Sequence, residues 1–314
     1  MSNRPQIKIM TYNVMLLFRV LGDYDQENRS NSIGSALLTI PENEKPDVII
    51  FTEMFSRYAD NIIKALKIDY PYYTYVLGTE RSGNQWDKYR GNRSKFFFIV
   101  NGGVVIMSKY PITYKVQHIF RNRTFCTPDY FSNKGAAYVK VNKHGYTYHI
   151  IGTHMQADHG NNIYPLTRTK QLEEIRELVD SLNIPKSEPV IVGGDFNITY
   201  AEDEKNQNIK KILGGEYNYI FKPNYGSFSA ITNNYAKCLA EYMNYPLNYD
   251  HTLDYIVYLN DYLQPINNAS MCVIPLKVLT PLYWKYMEKK LPETQGYYSD
   301  PSDHYPVVAE YFYA

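Results

Sequence analysis

The most informative segment of this chain is Val190-Ile191-Val192-Gly193-Gly194-Asp195-Phe196-Asn197. Its β-branched residues predict a short buried strand, and its two glycines predict a sharp turn that lets the backbone approach a neighbour closely. An acid and an amide follow, one residue apart. Because burying such groups without partners costs about 2–7 kcal/mol each, they suit a metal or phosphate site. A strand followed by an ordinary Gly-Asp turn is the alternative.

The overall composition is that of a globular protein. The 314 residues have 33 Lys+Arg against 32 Asp+Glu, and the composition does not change along the chain, so we expect one domain over residues 1–314. There is no run of five or more basic residues, which argues against a nucleic-acid partner. Three cysteines fit neither a disulfide framework nor a zinc site. We expect no signal peptide in this chain and no transmembrane segment, because it has no long apolar run; the compartment stays open.

Strand and helix patterns alternate, which predicts an α/β protein with mixed sheets covered by helices. Residues 79–99 and 121–134 are expected to be long loops, and residues 201–250 are expected to be irregular with a short helix at 208–213. The predicted strands cover residues 6–13, 48–53, 72–77, 104–107, 112–120, 136–141, 146–152, 190–197, 253–259, 271–279 and 305–312, and the predicted helices cover 27–38, 57–66 and 166–182.

Other predicted strands also end in polar residues. Asn13 and Glu53 each close an apolar run, as Asp195 does in the segment above. Ligand sites of α/β proteins are built where neighbouring strands end. The oxygens of Glu53 and Asn13 are hard ligands that suit Mg²⁺ or Mn²⁺ better than zinc.

Histidines occupy the same kind of position. His304 can act as a general base near neutral pH if Asp254 or Asp303 fixes its tautomer. His154 and Asn197 can donate hydrogen bonds to phosphoryl oxygens as charge builds on them. Each residue alone is more often structural, for example a capping group or a satisfied histidine, but together they indicate a site.

These residues carry a resemblance to a known family. In order along the chain, their motifs are similar to the signature of the endonuclease/exonuclease/phosphatase superfamily, Mg²⁺-dependent phosphodiesterases with a four-layer α/β sandwich in which two mixed β-sheets pack together with helices outside. Further stretches resemble the neutral sphingomyelinases of bacterial type. The superfamily motifs are Ile9–Asn13, Phe51–Glu53, Gly152–His154, Gly193–Asn197, Leu253–Ile256 and Ser302–Pro306; the further stretches are Gln85–Lys88, Gly102–Ile112, Pro128–Gly135 and Gly152–Ala157.

The resemblance implies an activity and a set of roles. Sphingomyelin in a membrane surface would be hydrolysed to ceramide and phosphocholine by a monomeric enzyme, with Mg²⁺ as cofactor (Mn²⁺ or Co²⁺ could substitute) and no organic cofactor. By resemblance, the roles fall on the following residues: Glu53 with Asn13 for the metal; His304, oriented by Asp254, for activation of the water, with contact to the metal as the alternative; Asp195 for the water or metal shell; Asn197 and His154 for the phosphoryl oxygens; Asp303 as a further catalytic residue; Asp129, Asn133 and Lys134 for the phosphate or headgroup side.

The sequence departs from the family pattern at two places. The second, edge metal site of bacterial sphingomyelinases uses an Asn and an acidic pair, where this chain has Arg57 and Val100-Asn101, so we expect one metal in the cleft. Cys126 matches one cysteine of a bridge around the active-site rim in that family. No partner for it occurs in residues 158–168, so we expect no such bridge.

The segment Leu279–Met287 lies where the family has an apolar hairpin. Leu282, Tyr283 and Trp284, beside lysines, are therefore expected to contact a membrane surface; the alternative is a half-buried strand with aromatic residues in the core.

Two functions other than sphingomyelin hydrolysis stay open. One is a nuclease or another phosphodiesterase or phosphatase of the same fold, and the other is a catalytically inactive binding module.

Overall fold

A computed structural model describes residues 5–79, 85–92, 100–158, 160, 163–219, 225–266 and 270–314. Its strands are β1 Ile7–Asn13, β2 Val48–Thr52, β3 Tyr72–Tyr73, β4 Lys88–Gly91, β5 Val105–Ser108, β6 Ile112–Ile119, β7 Gly135–Lys143, β8 Tyr146–His154, β9 Val190–Asp195, β10 Gly215–Glu216, β11 Asn218–Tyr219, β12 Phe228–Ser229, β13 Asp250–His251, β14 Asp254–Leu259, β15 Ser270–Val273, β16 Leu282–Tyr283, β17 Tyr297–Tyr298 and β18 Val307–Tyr311. Its α-helices are α1 Gln26–Leu38, α2 Ala59–Leu66, α3 Ile163–Asp180, α4 Tyr200–Asn206, α5 Asn234–Met243 and α6 Lys285–Lys290. A single π-helical turn covers Ile209–Leu213.

Two mixed sheets form the centre of the fold. The first has the order β11-β15-β18-β1-β2-β5-β3, and the second has the order β10-β14-β9-β8-β7-β6-β4. Helices α1 and α2 pack on the outer face of the first sheet, and α3 packs on the second. The layers therefore run helix, sheet, sheet, helix, and the predicted four-layer α/β sandwich is confirmed.

The strand sequences explain this layering. In β2, Val48 and Ile50 belong to the core between the sheets, while Ile49 and Phe51 pack with α1 and α2. Successive side chains of a strand point to opposite faces, and both faces of this strand are covered. An unbroken apolar run is the result, which is why the strand reads as apolar throughout.

Glycines allow the two sheets to approach each other. Gly152 of β8 and Gly193 of β9 are partners in register. A Cβ atom on Gly152 would lie 2.8 Å from Ile50 Cγ2, and one on Gly193 would lie 2.9 Å from Ile50 Cδ1. Gly194, with φ +147°, faces the backbone of β8 so closely that a Cβ would lie 1.9 Å from the Thr153 oxygen. The expected close approach of the backbone is therefore confirmed, but the expected sharp turn is wrong, since Gly193 and Gly194 both lie inside β9 and serve strand and sheet packing.

Several predicted elements differ from the structure. Residues 201–250 are not irregular throughout, because they contain α4 and α5. The strand predicted over 72–77 is limited to β3, and the one predicted over 271–279 ends with β15. The long loop predicted over 79–99 contains β4, which pairs in parallel with β6; residues 80–84 and 93–99 of that loop lie outside the described part. Within the described residues, no helix is long and apolar enough to span a membrane.

Candidate active site

The candidate site lies where strand ends of both sheets meet. In the second sheet, His154, Asp195 and Asp254 are neighbours in register on β8, β9 and β14. In the first sheet, Asn13 ends β1 beside Thr52 of β2, so Glu53 follows at the same edge. A cavity of about 400 Å³ opens here, and its wall includes Glu53, Asp195, Asn197, Asp303 and His304. The predicted strand-end residues are thus brought to one place.

Glu53 and Asp195 are held together by Asn13. Its Nδ2 donates to Glu53 Oε1 and to Asp195 Oδ2, each at 3.0 Å, while its Oδ1 accepts from the Met15 amide. The amide oxygen therefore does not face the carboxylates, and the prediction of Asn13 as a direct metal ligand does not match this geometry. Glu53 has φ +60°, a left-handed conformation that a non-glycine residue adopts at a cost of about 1–3 kcal/mol and that clusters at functional sites.

The electrostatics of these carboxylates suit a cation. Burial, together with the negative charge of Asp303, raises the pKa of Glu53 to about 7. Burial and the charge of Asp254 raise the pKa of Asp195 to about 6. Ligand atoms of Glu53, His154 and Asp195 lie within 4.8 Å of one another. Because buried like charges destabilise each other, this oxygen-rich donor set fits a hard divalent cation such as Mg²⁺.

His304 and Asp254 form a buried pair. His304 Nδ1 lies 2.7 Å from Asp254 Oδ2, so Asp254, rather than Asp303, holds this imidazole. Burial alone would lower the pKa of His304, but the charge and hydrogen bond of Asp254 raise it to about 10. With Nδ1 engaged, Nε2 is the nitrogen left for a water or a substrate oxygen. Asp303 lines the cavity and accepts from Ser302 Oγ at 3.2 Å.

Lys134 is buried behind His154. Its Nζ lies 2.8 Å from Asp129 Oδ1, 3.0 Å from His154 Nε2 and 3.1 Å from the Met155 oxygen. An ammonium group only donates, so His154 Nε2 accepts and the imidazole is neutral. Burial and the charge of Lys134 accordingly lower the pKa of His154 well below its usual value. In this arrangement Nε2 of His154 is not a donor, which differs from the role predicted for it.

The residues predicted for the headgroup side lie behind the cavity wall. Asp129, Asn133 and Lys134 are all buried, and none lines the cavity. Asn133 Nδ2 donates to the Gly78 oxygen, so this amide ties two loops together, and the prediction of direct substrate contact does not match its position. Asn197, in contrast, lines the cavity with φ +52° and donates through Nδ2 to the Met155 oxygen at 3.2 Å.

The region around Arg57 and Asn101 has few ligands for a metal. Arg57 is exposed, and Asn101 Nδ2 donates to the Phe55 oxygen at 2.9 Å. Among the residues that the structure describes, the two clusters of His, Asp and Glu side chains that could hold a metal ion both lie at the strand-end site. The expectation of one cleft metal stays a prediction. Cys126 is exposed and forms no disulfide bond.

The structure divides the residues predicted to contact a membrane. Trp284 is 6% exposed and packs with Tyr235, Met287 and Tyr298, so the prediction that Trp284 reaches a lipid surface is wrong for this structure. Leu282 is half-buried between two apolar clusters. Tyr283 is exposed.

Sequence reasoning missed the aromatic wall of the cavity. Phe228, Tyr249 and His251 line it. Phe228 lies on β12 and His251 on β13, which pair as a two-stranded sheet, and Tyr249 directly precedes β13. Phe228 and Tyr249 lie in the segment that looked irregular. Gly226-Ser227-Phe228-Ser229 alternates between small and aromatic residues after a glycine, which is the only signal that could have indicated this short strand.

Fold and site together define the class of α/β-sandwich hydrolases that carry a divalent-cation site at their strand ends. Residues 10–304 match the family model of the Endonuclease/Exonuclease/phosphatase family. The chain belongs to this family, and the resemblance of its motifs is confirmed.

Individual relatives are similar over nearly the whole chain. Sphingomyelinase C of Bacillus cereus is 35% identical over 322 residues, which cover 98% of this chain and 89% of the relative. The crystal structure of sphingomyelinase C from Streptomyces griseocarneus has a TM-score of 0.82 at 28% identity, covering 98% of this chain and 100% of that one. A beta toxin variant from Staphylococcus aureus, solved with bound magnesium ions, has a TM-score of 0.80 at 33% identity, covering 97% and 99%.

Proposed function

We propose that this protein is a Mg²⁺-dependent phosphodiesterase that hydrolyses sphingomyelin to ceramide and phosphocholine. The observation that carries the proposal is the meeting of the His304–Asp254 pair with the Glu53–Asp195 carboxylates at one cavity. The near full-length similarity to a sphingomyelinase C supports the choice of substrate over DNA or another phosphodiester. The balanced charge of the chain supports the same choice, because nucleic-acid binding usually needs a basic face.

The chain's own residues supply proton transfer and orientation. The positive charge of a bound cation would lower the pKa of His304 from about 10, so that the imidazole is neutral before the reaction. His304 would then accept the proton of the attacking water through Nε2, while Asp254 keeps the imidazole oriented and stabilises its charged form. Asp195 would orient that water, and Asn197, on the cavity wall, would donate to a phosphoryl oxygen. The buried ammonium of Lys134 adds positive charge behind this wall.

Glu53 and Asp195 would hold the cation. When bound, Mg²⁺ supplies Lewis-acid stabilisation of the charge on the phosphoryl and leaving oxygens. Hard oxygen ligands also accept Mn²⁺, and we propose that Mn²⁺ or Co²⁺ can replace Mg²⁺.

A lipid substrate also requires contact with a membrane surface. Leu279 is 82% exposed and precedes β16, and Tyr283, which ends β16, is 44% exposed. An exposed aliphatic and an exposed aromatic side chain suit the interfacial layer of a bilayer. We propose that Leu279 and Tyr283 make this contact and that the enzyme acts as a monomer.

The direct test measures phosphocholine release from sphingomyelin vesicles with Mg²⁺ and with EDTA, beside plasmid DNA. We expect release only with the metal, and no cleavage of the DNA. Tyr283→Ala should lower activity on vesicles but not on a soluble phosphocholine ester, whereas Trp284→Ala, which opens a cavity in the core, should lower stability and both activities. DNA cleavage without phosphocholine release would refute the proposed substrate. Equal losses of Tyr283→Ala on both substrates would refute the membrane contact.

A further inference from the structure

We infer that Ser227 and Phe228 are positioning residues for the His304–Asp254 pair. Ser227 fixes the carboxylate, and Phe228 fixes the plane of the imidazole. The inference rests on the proposed function, since it assigns to two further residues the task of holding the catalytic pair. Ser227 directly precedes β12 and Phe228 begins it, and both lie against the segment that carries His304. The Tyr305 amide donates to the Ser227 oxygen at 2.7 Å, and Phe228 forms an antiparallel β-bridge with His304.

The Ser227 hydroxyl has only one direction in which it can donate. Its Oγ accepts from the amides of Leu253 and Asp254, at 3.1 and 3.3 Å. These two bonds occupy its lone pairs, so its hydrogen points to Asp254 Oδ2, at 2.6 Å. The hydroxyl is fully buried, and water therefore cannot replace it easily.

Asp254 depends on this hydroxyl for its orientation. Oδ2 accepts from both Ser227 and His304 Nδ1, whereas Oδ1 is buried and has no hydrogen-bond partner within the described part of the chain. Ser227 is thus the side chain, besides His304 itself, that resists rotation of the carboxylate. Without the Ser227 hydroxyl, the Asp254 carboxylate could rotate, and the His304 imidazole bonded to it would lose its orientation toward the attacking water.

Phe228 fixes the plane of the His304 imidazole. Its ring stacks on the imidazole, with 4.7 Å between centroids and 29° between planes. Its opposite face stacks on Tyr249 at 4.4 Å and 22°. Tyr249 in turn is tied to α5, because its hydroxyl donates to the Ala236 oxygen at 3.3 Å. The imidazole therefore rests on a stack that is anchored in the fold.

The stacking of Phe228 also argues against a role for this ring in binding the quaternary ammonium of a lipid headgroup. A quaternary ammonium binds over the face of an aromatic ring, where the quadrupole is negative. Both faces of Phe228 are already covered, and only its edge, which is positive, remains. Phe228 is suited to hold the histidine and not to bind the cation of a lipid headgroup.

The chain offers a matched control for Ser227. Ser229, two residues along β12, is also fully buried, but its Oγ has no hydrogen-bond partner among the described residues. Ser227→Ala and Ser229→Ala remove the same atom from two buried positions of one short segment. Only the first removes a bond to Asp254.

We expect Ser227→Ala to lower kcat about 10- to 100-fold with KM changed less than about 2-fold, because orientation matters in the transition state and not for binding. Ser229→Ala should keep wild-type kcat. Phe228→Leu should lower kcat about 10-fold, and Phe228→Tyr, which keeps the ring, should restore it. In wild type and in Ser229→Ala, the proton on Nδ1 of His304 should give the same downfield NMR signal, assigned by its loss in His304→Gln. This signal should shift in Ser227→Ala.

The assay uses sphingomyelin and a soluble chromogenic phosphodiester in parallel. A wild type that cleaves only the chromogenic diester would refute the proposed substrate but would still allow the comparison of Ser227 with Ser229. If Ser227→Ala fails to fold by circular dichroism, Ser227→Cys, which keeps size and a weak donor, takes its place with an intermediate kcat expected. Equal kcat for the Ser227 and Ser229 variants, or an unshifted NMR signal, would overturn the inference.

Discussion

The buried contact between Lys134 and Asp129 offers a quantitative test of how the site is held. Lys134 is 3% exposed, and its ammonium donates to Asp129, His154 and the Met155 oxygen. Lys134→Met keeps the apolar stem and removes the charge. Removing one partner of a buried pair costs about 3–5 kcal/mol, because the other charge is left uncompensated. We expect the lower end of this range, since Asp129 Oδ2 still accepts from Gln156 Nε2 and from the Ala157 amide.

A double-mutant cycle measured by urea unfolding separates this pair from general packing. Lys134→Met and Asp129→Asn should each destabilise the protein. The double variant should cost less than the sum of the two by about 1–3 kcal/mol, because the second change removes a charge that the first has left unpaired. The pKa of His154 should also rise in Lys134→Met, since the charge of Lys134 helps to lower it. Additive costs, or a loss below about 1 kcal/mol for Lys134→Met, would refute the reasoning.

Three further predictions concern acid stability, a buried cation and the catalytic pair. Burial would raise the pKa of Glu174, but hydrogen bonds from His118, Arg121 and Asn122 lower it from 4.5 to about 2. Glu174 therefore contributes about 2–3 kcal/mol to the free energy of unfolding above about pH 4.5, and this contribution is lost as the pH falls toward 2. The free energies of unfolding of wild type and Glu174→Gln, measured in urea, should differ at pH 7 and converge near pH 2. Arg29 is fully buried and donates to the backbone oxygens of Tyr24, Val14, Met15 and Pro301. Arg29→Lys should therefore lower the free energy of unfolding by about 3 kcal/mol in the same assay, because one ammonium cannot reach all four oxygens. Arg57→Lys, at an exposed position, should leave the free energy of unfolding unchanged. Asp254→Asn should lower kcat about 10²–10⁴-fold in phosphocholine release with little change in KM, and an unchanged kcat would refute the role of Asp254 in holding His304.

The main elements could be predicted from local pattern. The apolar runs of β1, β2 and β9 and the periodic helix α3 are confirmed, since they are long enough for their hydrophobic period to be visible. Strands of two residues, such as β12 and β13, have no period to detect. They form because tertiary contacts hold them, and sequence reasoning therefore missed them. Helix α5, in the same segment, was also missed.

The site was predicted as a set of residues but not as a set of contacts. Glu53, Asp195 and His304 line one cavity, as the strand-end pattern indicated, and Asp254 is buried beside His304. The orientation of Asn13 could not be predicted, because it depends on which of its amide atoms meets the Met15 amide.

The sequence by itself determined the longer strands and helices, the candidate residues at the strand ends and the family to which the chain belongs, because these depend on residue type and order. Only the tertiary structure decided that Asp254 holds His304, that Lys134 keeps His154 neutral and that Trp284 is buried. Each of these outcomes depends on contacts between residues far apart in the chain, and a hydrogen bond forms only within a few tenths of an ångström and a limited range of angles. At Val190–Asn197, the missing side chains of Gly193 and Gly194 leave room for Ile50 of the facing sheet and for the Thr153 backbone of β8, and Asp195 lies in the cavity wall.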